Sequence, residues 1–410
     1  MKSSLELPDL LREKILQIRA LSTFCYSCGK CLSECPTSLL GTFSPKDFLH
    51  KIVNQGEQTL VDFIPQLDLF SCLTCEKCMK YCPMQEEDSF LFAEIVRLFR
   101  EVAFENSLLF NELVATQTHD GIMTINPIIQ SRETTLCNNC DYIKKDKDLK
   151  TQNTGEIALF IGCNSLMEDL FEKLDPQYKD SARAAVFLLN ECGINPVIAK
   201  TKCCGHDAFW TGDTNTAKSL AQYNVDLYKN AGVKTILVQC AEGYRMWKYD
   251  YPKLVDGFDF TVKHLSEYLM DADRNRIQPK NTLPKVKITY HDPCRLGRLG
   301  GIYEEPRKIL RNLNNVELVE MENNREDANC CGVSVFRTCN AKTKILRMKR
   351  IEEAIKTGAE YLITTCPKCI THFKCLQNEY NEKEGELMHN ISKLKVMDLS
   401  QFVAKRDIFP

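Results

Sequence analysis

The 410-residue sequence lacks any apolar run near the roughly 20 residues that a membrane-spanning helix requires. Neither positive nor negative charge predominates, because 53 basic and 55 acidic residues leave a net charge of only −2. The N-terminal segment MKSSLELPD has no apolar core of the kind that a signal peptide needs. We therefore expect no transmembrane segment of its own, no nucleic-acid partner, and a cytoplasmic location, with peripheral attachment to the cytoplasmic membrane only through a partner.

Nucleotide-binding motifs are absent as well. The sequence contains no Walker A loop, no G-x-G-x-x-G that opens a helix after a strand, and no flavin fingerprint. We therefore expect no nucleotide or flavin bound by the chain itself, so that substrate dehydrogenation or electron bifurcation would require a partner protein.

What the sequence has in excess is cysteine, with 22 copies. A secreted disulfide framework is one explanation, but such scaffolds are short and follow a signal peptide. A reducing compartment in which thiols bind metals explains the count better. Most of the cysteines fall into four groups along the chain, each with the spacing of metal ligands.

Two N-terminal groups have the spacing C-x2-C-x2-C-x3-C-P, in which three thiolates wrap one 4Fe–4S cubane and the fourth reaches the other cluster. We predict one cluster on Cys25, Cys28, Cys31 and Cys82, and another on Cys72, Cys75, Cys78 and Cys35. Zinc knuckles are the competing interpretation. The 36 residues between the two groups favour a helical ferredoxin over a compact β-type one. Two such clusters would pass electrons in series.

The two C-terminal groups follow a pattern of one cysteine, then Cys-Cys-Gly, then a further cysteine or pair. The complete copy, here the second-half centre, consists of Cys294, Cys330, Cys331, Cys366 and Cys369. Five thiolates exceed what one zinc ion or one cubane uses, which predicts an unusual iron–sulfur centre that performs sulfur chemistry. The incomplete copy, here the first-half thiols, consists of Cys163, Cys203, Cys204 and Cys240.

Strand-like and helical segments alternate through this C-terminal part, which is the rhythm of an α/β fold. We predict strands at 157–161, 196–199, 235–238, 286–290 and 361–364, and helices at 179–192, 214–230, 304–313 and 338–357. The segment KTILVQC ending at Cys240 matches EYLITTC ending at Cys366, which indicates an internal duplication.

The predicted architecture is an α-helical ferredoxin domain with two 4Fe–4S clusters, followed by a duplicated α/β cysteine-rich domain pair. We place the ferredoxin domain at 1–110, the first half at 156–275 and the second half at 276–410. The polar connector at 111–155 carries the pair Cys137 and Cys140, for which we predict an unspecified structural role rather than a redox or half metal site.

These motifs resemble the CCG domain pair of heterodisulfide reductases, notably in CCGHD at 203–207, HDPCRLGR at 291–298 and CCGVS at 330–334. The whole layout is similar to the catalytic D subunit, or to fused C and B subunits. The resemblance implies a noncubane 4Fe–4S cluster on the second-half centre, where a disulfide is reduced or thiols are oxidised. It also implies partner subunits, either a membrane cytochrome b or a flavoprotein.

Similar layouts occur in iron–sulfur subunits of glycolate, lactate and glycerol-3-phosphate oxidoreductases and of a sulfur-metabolism membrane complex. An electron relay without disulfide chemistry is therefore the alternative function. The first half departs from the family pattern, because Gly243 stands where the fifth cysteine would be. It is then a degenerate structural half, a four-thiolate zinc or iron–sulfur site, or a modified active centre.

Several polar residues flank the thiols. His206 and His291 are candidate proton or hydrogen-bond donors to a substrate sulfur, with a structural role as the alternative. Arg295 and Arg298 are candidate clamps for an anionic substrate, with a solvated loop or a helix start as the alternative. Lys368 is a candidate counter-charge for a cluster, with an ordinary surface lysine as the alternative.

Overall fold

The structure is a computed structural model that describes residues 8–67, 69–85, 91–108, 119–271, 284–336, 339–380 and 386–407. The chain divides into two compact units. Unit 1 consists of Met1–Asn126, Asp207–Thr216 and Gly332–Thr343, and unit 2 of Pro127–His206, Ala217–Cys331 and Lys344–Pro410. The segments that follow the two Cys-Cys-Gly motifs thus belong to the same unit as the ferredoxin part.

The ferredoxin part is helical, as its sequence predicts. Its helices are α1 (Asp9–Ser22), α2 (Lys30–Glu34), α3 (Pro45–Asn54), α4 (Glu57–Phe63), α5 (Phe92–Glu105) and α6 (His119–Arg132). Helix α3 begins at Pro45 because the Ser44 hydroxyl caps it by accepting a hydrogen bond from the backbone N–H of Asp47. The rings of Phe48 and Phe99 meet at 5.5 Å, edge to face, and join α3 to α5.

Two later segments of the chain complete unit 1. Arg100 on α5 donates a hydrogen bond of 2.8 Å to the carbonyl of Trp210. Gly212 allows the backbones to meet there, because a Cβ at that position would lie 2.3 Å from the Arg100 carbonyl oxygen. The Ser334 hydroxyl is hydrogen-bonded to that of Thr74 at 2.6 Å, and both side chains are buried.

The first half is an α/β domain with a three-stranded parallel sheet in the order β1-β2-β3. Its elements are α7 (Asp141–Lys144), β1 (Ile157–Phe160), α8 (Asn164–Leu170), α9 (Tyr178–Glu191), α10 (His206–Thr211), α11 (Thr214–Asn230), β2 (Thr235–Val238), α12 (Ala241–Arg245), a π-helical turn (Met246–Asp250), α13 (Tyr251–Leu254), β3 (Thr261–His264) and α14 (Leu265–Asp271).

The second half repeats this plan with a four-stranded parallel sheet in the order β5-β4-β6-β7. Its elements are β4 (Val286–Tyr290), α15 (Glu304–Arg311), β5 (Val316–Leu318), α16 (Ala341–Lys356), β6 (Tyr361–Thr364), α17 (Pro367–Tyr380), α18 (Glu386–Lys393), β7 (Lys395–Asp398) and α19 (Leu399–Asp407).

The strand predictions are confirmed for β1, β2, β4 and β6, which carry or precede the cysteine loops. The prediction of a strand at 196–199 is wrong: Val197 forms only isolated bridges, to Gln152 and to Ala158. Three strands were not predicted, and all three, β3, β5 and β7, lie at sheet edges. Each of the three contains only one or two apolar residues, so its sequence carries little of the apolar signal that marks a buried strand.

The two halves share one core and meet at their cysteine loops. Leu189 on α9 and Val403 on α19 are fully buried in the same apolar cluster as Ile288 and Ile363 of the second sheet. The backbone N–H of Ala241, after β2, donates to the carbonyl of Thr365, after β6, at 3.1 Å. This hydrogen bond joins the carboxyl ends of the two central strands, which is where an α/β fold presents its functional groups.

Candidate iron–sulfur centres

The first cavity lies beside α2 and is lined by Cys25, Cys28, Cys31 and Cys82 together with Met79, Phe92 and neighbouring residues. Cys28 is exposed, and the other three thiols are partly buried. Burial raises the pKa of Cys82, and the nearby Cys28 and Cys25 raise it further. The fourth cysteine of the second run therefore lines the same cavity as the first three cysteines of the first run.

The second cavity is lined by Cys35, Cys72, Cys75 and Cys78 together with Thr74 and Glu76. All four thiols are buried. Burial raises the pKa of Cys72, which the charge of Arg100 partly offsets, and Arg100 also donates to the Cys72 carbonyl at 2.8 Å. Four converging thiols around each cavity are a donor set that suits a 4Fe–4S cubane.

Left-handed residues turn the chain around both cavities. Ser27 has φ of 59°, Thr74 of 45° and Glu76 of 58°, and each lies between successive cysteines of a run. Such conformations are unfavourable for residues other than glycine and persist where the surrounding structure requires them. The backbone is thus already bent into the form that wrapping a cluster requires.

Four thiols of the second-half centre, those of Cys330, Cys331, Cys366 and Cys369, form a chain of contacts. The Sγ atoms of Cys369 and Cys331 are 3.3 Å apart. Cys330 is hydrogen-bonded to Cys331, and Cys366 to Cys369, and all four are buried. The fifth thiol, Cys294, is partly buried on the loop after β4.

His291 lies in direct contact with this centre. Its ring, Cys331 and Cys369 offer ligand atoms within 4.8 Å of one another, and all three side chains are buried. Arg350 donates its Nε–H to Nδ1 of His291 at 2.9 Å, so the ring proton is on Nε2 and is available to Cys331. Hydrogen bonds from Cys330, Cys369 and His291 lower the pKa of Cys331 well below its usual range.

His206 occupies a different place, in a buried polar network between the two halves. Arg295 donates its Nε–H to Nε2 of His206 at 3.0 Å. The other ring nitrogen lies 3.6 Å from Glu242, and Glu242 accepts from Lys368 at 3.0 Å. The network joins residues next to four cysteine loops, and Arg295 and Lys368 are both buried rather than solvated.

The first-half thiols also converge. The hydrogen bond with Cys203 and then burial raise the pKa of Cys204, and Cys163 and Cys240 lie close enough to raise it further. A Cβ at Gly243 would lie 3.1 Å from Val238 and 3.6 Å from Phe160. The place of the fifth thiol is therefore bordered by apolar side chains.

The connector cysteines have neighbours of their own. Cys137 is hydrogen-bonded to the Tyr223 hydroxyl at 3.2 Å. Cys140 is fully buried with Ile143 in the apolar core of unit 2. A structural role for this pair stays a prediction that these contacts support.

Sequence reasoning missed three polar residues near the second-half centre: Arg347, Arg350 and His372. All three are buried. Arg347 and Arg350 lie three residues apart in a segment predicted to be helical, so they share one face of α16. That spacing was the available signal, but basic residues on a helix are usually solvated, and only the fold shows that this face is covered.

Two protein families match the chain. The 4Fe-4S dicluster domain matches residues 22–93. The cysteine-rich domain CCG matches twice, at residues 157–246 and 288–374, and each matched segment contains one of the two sets of thiols. None of the helices in the described part of the chain is long and apolar enough to cross a membrane.

Several known proteins are similar over most of the chain. The EtfAB:quinone oxidoreductase of Syntrophomonas wolfei is 28% identical over 78% of this chain, which spans 45% of that protein's length. The D subunit of the dihydromethanophenazine:CoB–CoM heterodisulfide reductase of Methanosarcina mazei is 26% identical, with 84% of this chain and 86% of that relative covered.

A solved structure shares the fold. The crystal structure of a hypothetical protein from Helicobacter pylori matches with a TM-score of 0.55 at 10% identity, covering 98% of this chain and 74% of that one. The duplicated CCG domain, the dicluster domain ahead of it and the alignment with a reductase component all agree. The chain thus carries a 4Fe-4S dicluster domain followed by two CCG cysteine-rich domains, and over most of its length it is similar to the D subunit of a heterodisulfide reductase.

Proposed function

We propose that this chain is the iron–sulfur subunit of an oxidoreductase complex that passes electrons through two cubane clusters to a noncubane centre, where a disulfide is reduced or two thiols are oxidised. The cubanes would be held by Cys25, Cys28, Cys31 and Cys82 and by Cys35, Cys72, Cys75 and Cys78. The noncubane centre would be held by Cys294, Cys330, Cys331, Cys366 and Cys369. The observation that carries the proposal is the convergence of buried thiols at the second-half centre, with Cys331 and Cys369 at 3.3 Å.

The chemistry requires a centre that exchanges electrons with sulfur one at a time, because cubanes deliver single electrons and a disulfide takes two. A noncubane cluster, when bound, would supply that exchange. The chain's own residues hold the thiols in a buried site, which limits access of bulk water. Arg350 fixes the ring of His291, and the ring presents an N–H to Cys331, where it can orient or partly neutralise a sulfur.

The test is an anaerobic iron count combined with a thiol response. The purified chain should bind about twelve iron atoms if two cubanes and one further four-iron centre are present. Cys330→Ser should reduce the count to about eight, whereas Cys204→Ser, the matched change in the first half, should leave the total unchanged. Adding thiol to the oxidised protein should produce a new paramagnetic signal that Cys330→Ser removes and Cys204→Ser retains.

A count of about eight irons in the unmodified chain, with zinc in the remaining sites, would contradict the noncubane centre. If Cys330→Ser and Cys204→Ser lose equal amounts of iron, the placement of the noncubane centre in the second half is contradicted. A full iron count with no signal from any thiol would contradict disulfide chemistry.

The second candidate function is an electron relay between a flavoprotein and another carrier. The relative named EtfAB:quinone oxidoreductase favours it, since that protein's name describes transfer to a quinone. Under this proposal, the chain's clusters are reduced by a flavoprotein and reoxidised by a quinone-linked partner, and no thiol affects them. We further propose that such a partner, a membrane cytochrome b or a flavoprotein subunit, holds the chain at the cytoplasmic side of the membrane.

A further inference from the structure

Arg347 is a buried cation with no partner in the described residues. Its side chain lies on α16 and is 1% exposed, and none of its three guanidinium nitrogens has a hydrogen-bond partner there. A buried charge that is neither hydrogen-bonded nor paired is strongly unfavourable. Proteins keep such a group only where something else supplies the missing charge.

The position of Arg347 points to the second-half centre. Arg347 and Arg350 lie on the same face of α16, and Arg350 donates to His291. His291 in turn lies within 4.8 Å of the thiols of Cys331 and Cys369. His372 gives a second connection, because it is hydrogen-bonded to the backbone of Cys331 and is close enough to Arg347 to feel its charge.

The surroundings of the second-half centre are cationic on more than one side. Lys368 lies between the ligands Cys366 and Cys369 along the chain and is 3% exposed. Its nearest carboxylate, Glu242, is shared with the polar network that contains His206. Arg347 therefore adds a positive charge that no carboxylate in the described residues is seen to balance.

The first half shows that this charge is not required by the fold. Counting from the matched glycines that follow α11 and α16, Gly232 and Gly358, the residues equivalent to Arg347 and Arg350 are Ala221 and Asn224. Both are fully buried, and Asn224 uses its side chain to hydrogen-bond the backbone of the Cys-Cys loop. The equivalent helix of the first half thus packs on the same type of loop without a cation at either of these two positions.

We infer that Arg347 is the buried counter-charge of the iron–sulfur centre in the second half and that it raises that centre's reduction potential. This inference rests on the proposed function, because it requires a cluster on these thiols. A centre with five thiolates is more anionic than a four-thiolate cubane, and each reduction adds a further negative charge. A fixed positive charge nearby stabilises the reduced form more than the oxidised form and so raises the potential.

Arg347 is too buried to be reached easily by a substrate anion, which makes the cluster the better candidate for the missing negative charge. Arg347 acts on the centre through its charge and does not touch the substrate. The reduction potential should therefore depend on whether residue 347 is charged and not on the shape of its side chain.

The test compares Arg347→Met, Arg347→Gln and Arg347→Lys in the full cluster-loaded chain. Potentiometric titration with paramagnetic detection measures the second-half centre and the two cubanes separately. Both neutral variants should make reduction of the second-half centre at least tenfold less favourable, which is a downward shift of about 59 mV for one electron. Arg347→Lys should stay within about threefold of the unmodified chain, which corresponds to under ~30 mV.

The matched control is Lys349→Gln, which removes the same charge from an exposed position on the same helix. It should leave the potential unchanged. Another supporting result is a neutral variant that loses only the second-half centre and keeps about eight irons, provided that Arg347→Lys keeps that centre.

The inference is overturned if the neutral variants keep about twelve irons and an unchanged potential. It is also overturned if the neutral variants keep an unchanged potential and only need a higher thiol concentration to give the paramagnetic signal. Arg347 would then bind a substrate anion. Loss of all clusters from both neutral variants would assign Arg347 to the fold instead. An iron count of about eight in the unmodified chain is a different result, because it removes the proposed function itself.

Discussion

The two CCG halves have the same parallel-sheet plan and differ at the positions that surround their thiols. By strand register, Phe160 in the first half stands where His291 stands in the second, since Phe160 pairs with Val238 and Tyr290 with Ile363. Gly243 stands where Cys369 stands. In the first half, Trp247 packs against Phe160 at 5.4 Å and belongs to an aromatic cluster.

Both halves contain buried, hydrogen-bonded pairs of thiols. Hydrogen bonds lower the pKa of Cys331 and raise that of its partner Cys369, and the hydrogen bond with Cys203 raises the pKa of Cys204 in the first half. The pairing of thiols is therefore common to the two halves, and the difference lies in the side chains around them. The comparison teaches that a duplicated backbone can be kept while the electrostatics of the duplicated site diverge, because strand pairing depends on the main chain and ligand chemistry on a few side chains.

The largest expected stability effect tests the contact between the halves. Lys368 and Glu242 occupy equivalent places after Cys366 and Cys240 and form an ion pair at 3.0 Å, with side chains that are 3% and 13% exposed. Lys368→Glu should destabilise the fold by about 3–5 kcal/mol, because it leaves two carboxylates facing each other in a buried site. Adding Glu242→Lys should recover part of that loss, as measured by the free energy of unfolding in denaturant.

The control for this prediction is Lys285→Glu. Lys285 pairs with Glu317 at 2.8 Å, but the two side chains are 72% and 43% exposed. That reversal should cost no more than about 1 kcal/mol. If Lys368→Glu costs as little as Lys285→Glu, the contact between the halves does not depend on this pair.

A smaller effect is expected from restoring the fifth cysteine to the first half. Gly243→Cys places a Cβ 3.1 Å from the Cγ1 of Val238, which should cost about 1–2 kcal/mol through overpacking. The iron count should stay at about twelve, because Phe160 remains where the second half has His291. The count is measured anaerobically beside the unmodified chain. A rise to about sixteen irons would show that the first half differs from the second by this residue alone.

The smallest effect concerns a pair of residues at the ends of equivalent strands, His264 on β3 and Asp398 on β7. Both contact Gln239: the ring of His264 is bonded to its carbonyl at 3.0 Å, and Asp398 accepts from its side chain at 3.3 Å. Burial lowers the pKa of His264 from 6.5 to about 4. Burial also raises the pKa of Asp398 from 3.8 to about 6.

Folding thus favours the neutral form of both groups, but with opposite dependence on pH. The stability associated with neutral His264 is lost as pH falls from 6.5 towards 4, whereas that associated with protonated Asp398 is lost as pH rises from 3.8 through 6. Asp398→Asn should therefore raise Tm by about 2 °C at pH 8, and His264→Gln should do so near pH 5. The reverse pattern, or no dependence on pH, would contradict the burial of these groups.

Much of the fold could be predicted because its signals are local. The cysteine spacing indicated both ferredoxin runs, and apolar segments before Cys163, Cys240 and Cys366 indicated strands β1, β2 and β6. Strands β3, β5 and β7 escaped prediction, since each contains only one or two apolar residues. Segment 196–199 looked like a strand but makes only isolated bridges, because apolar character does not determine whether a partner strand is present.

The sequence by itself determined where the cysteines lie and that only the second half has all five thiols, because residue identity and spacing can be read directly from it. Tertiary structure decided which polar residues surround those thiols. It placed His291 at the second-half centre, moved His206 into a network with Arg295 and Glu242, and buried Arg347 without a partner in the described chain. These contacts join residues distant along the chain, and their energies depend on burial and direction, which spacing does not encode.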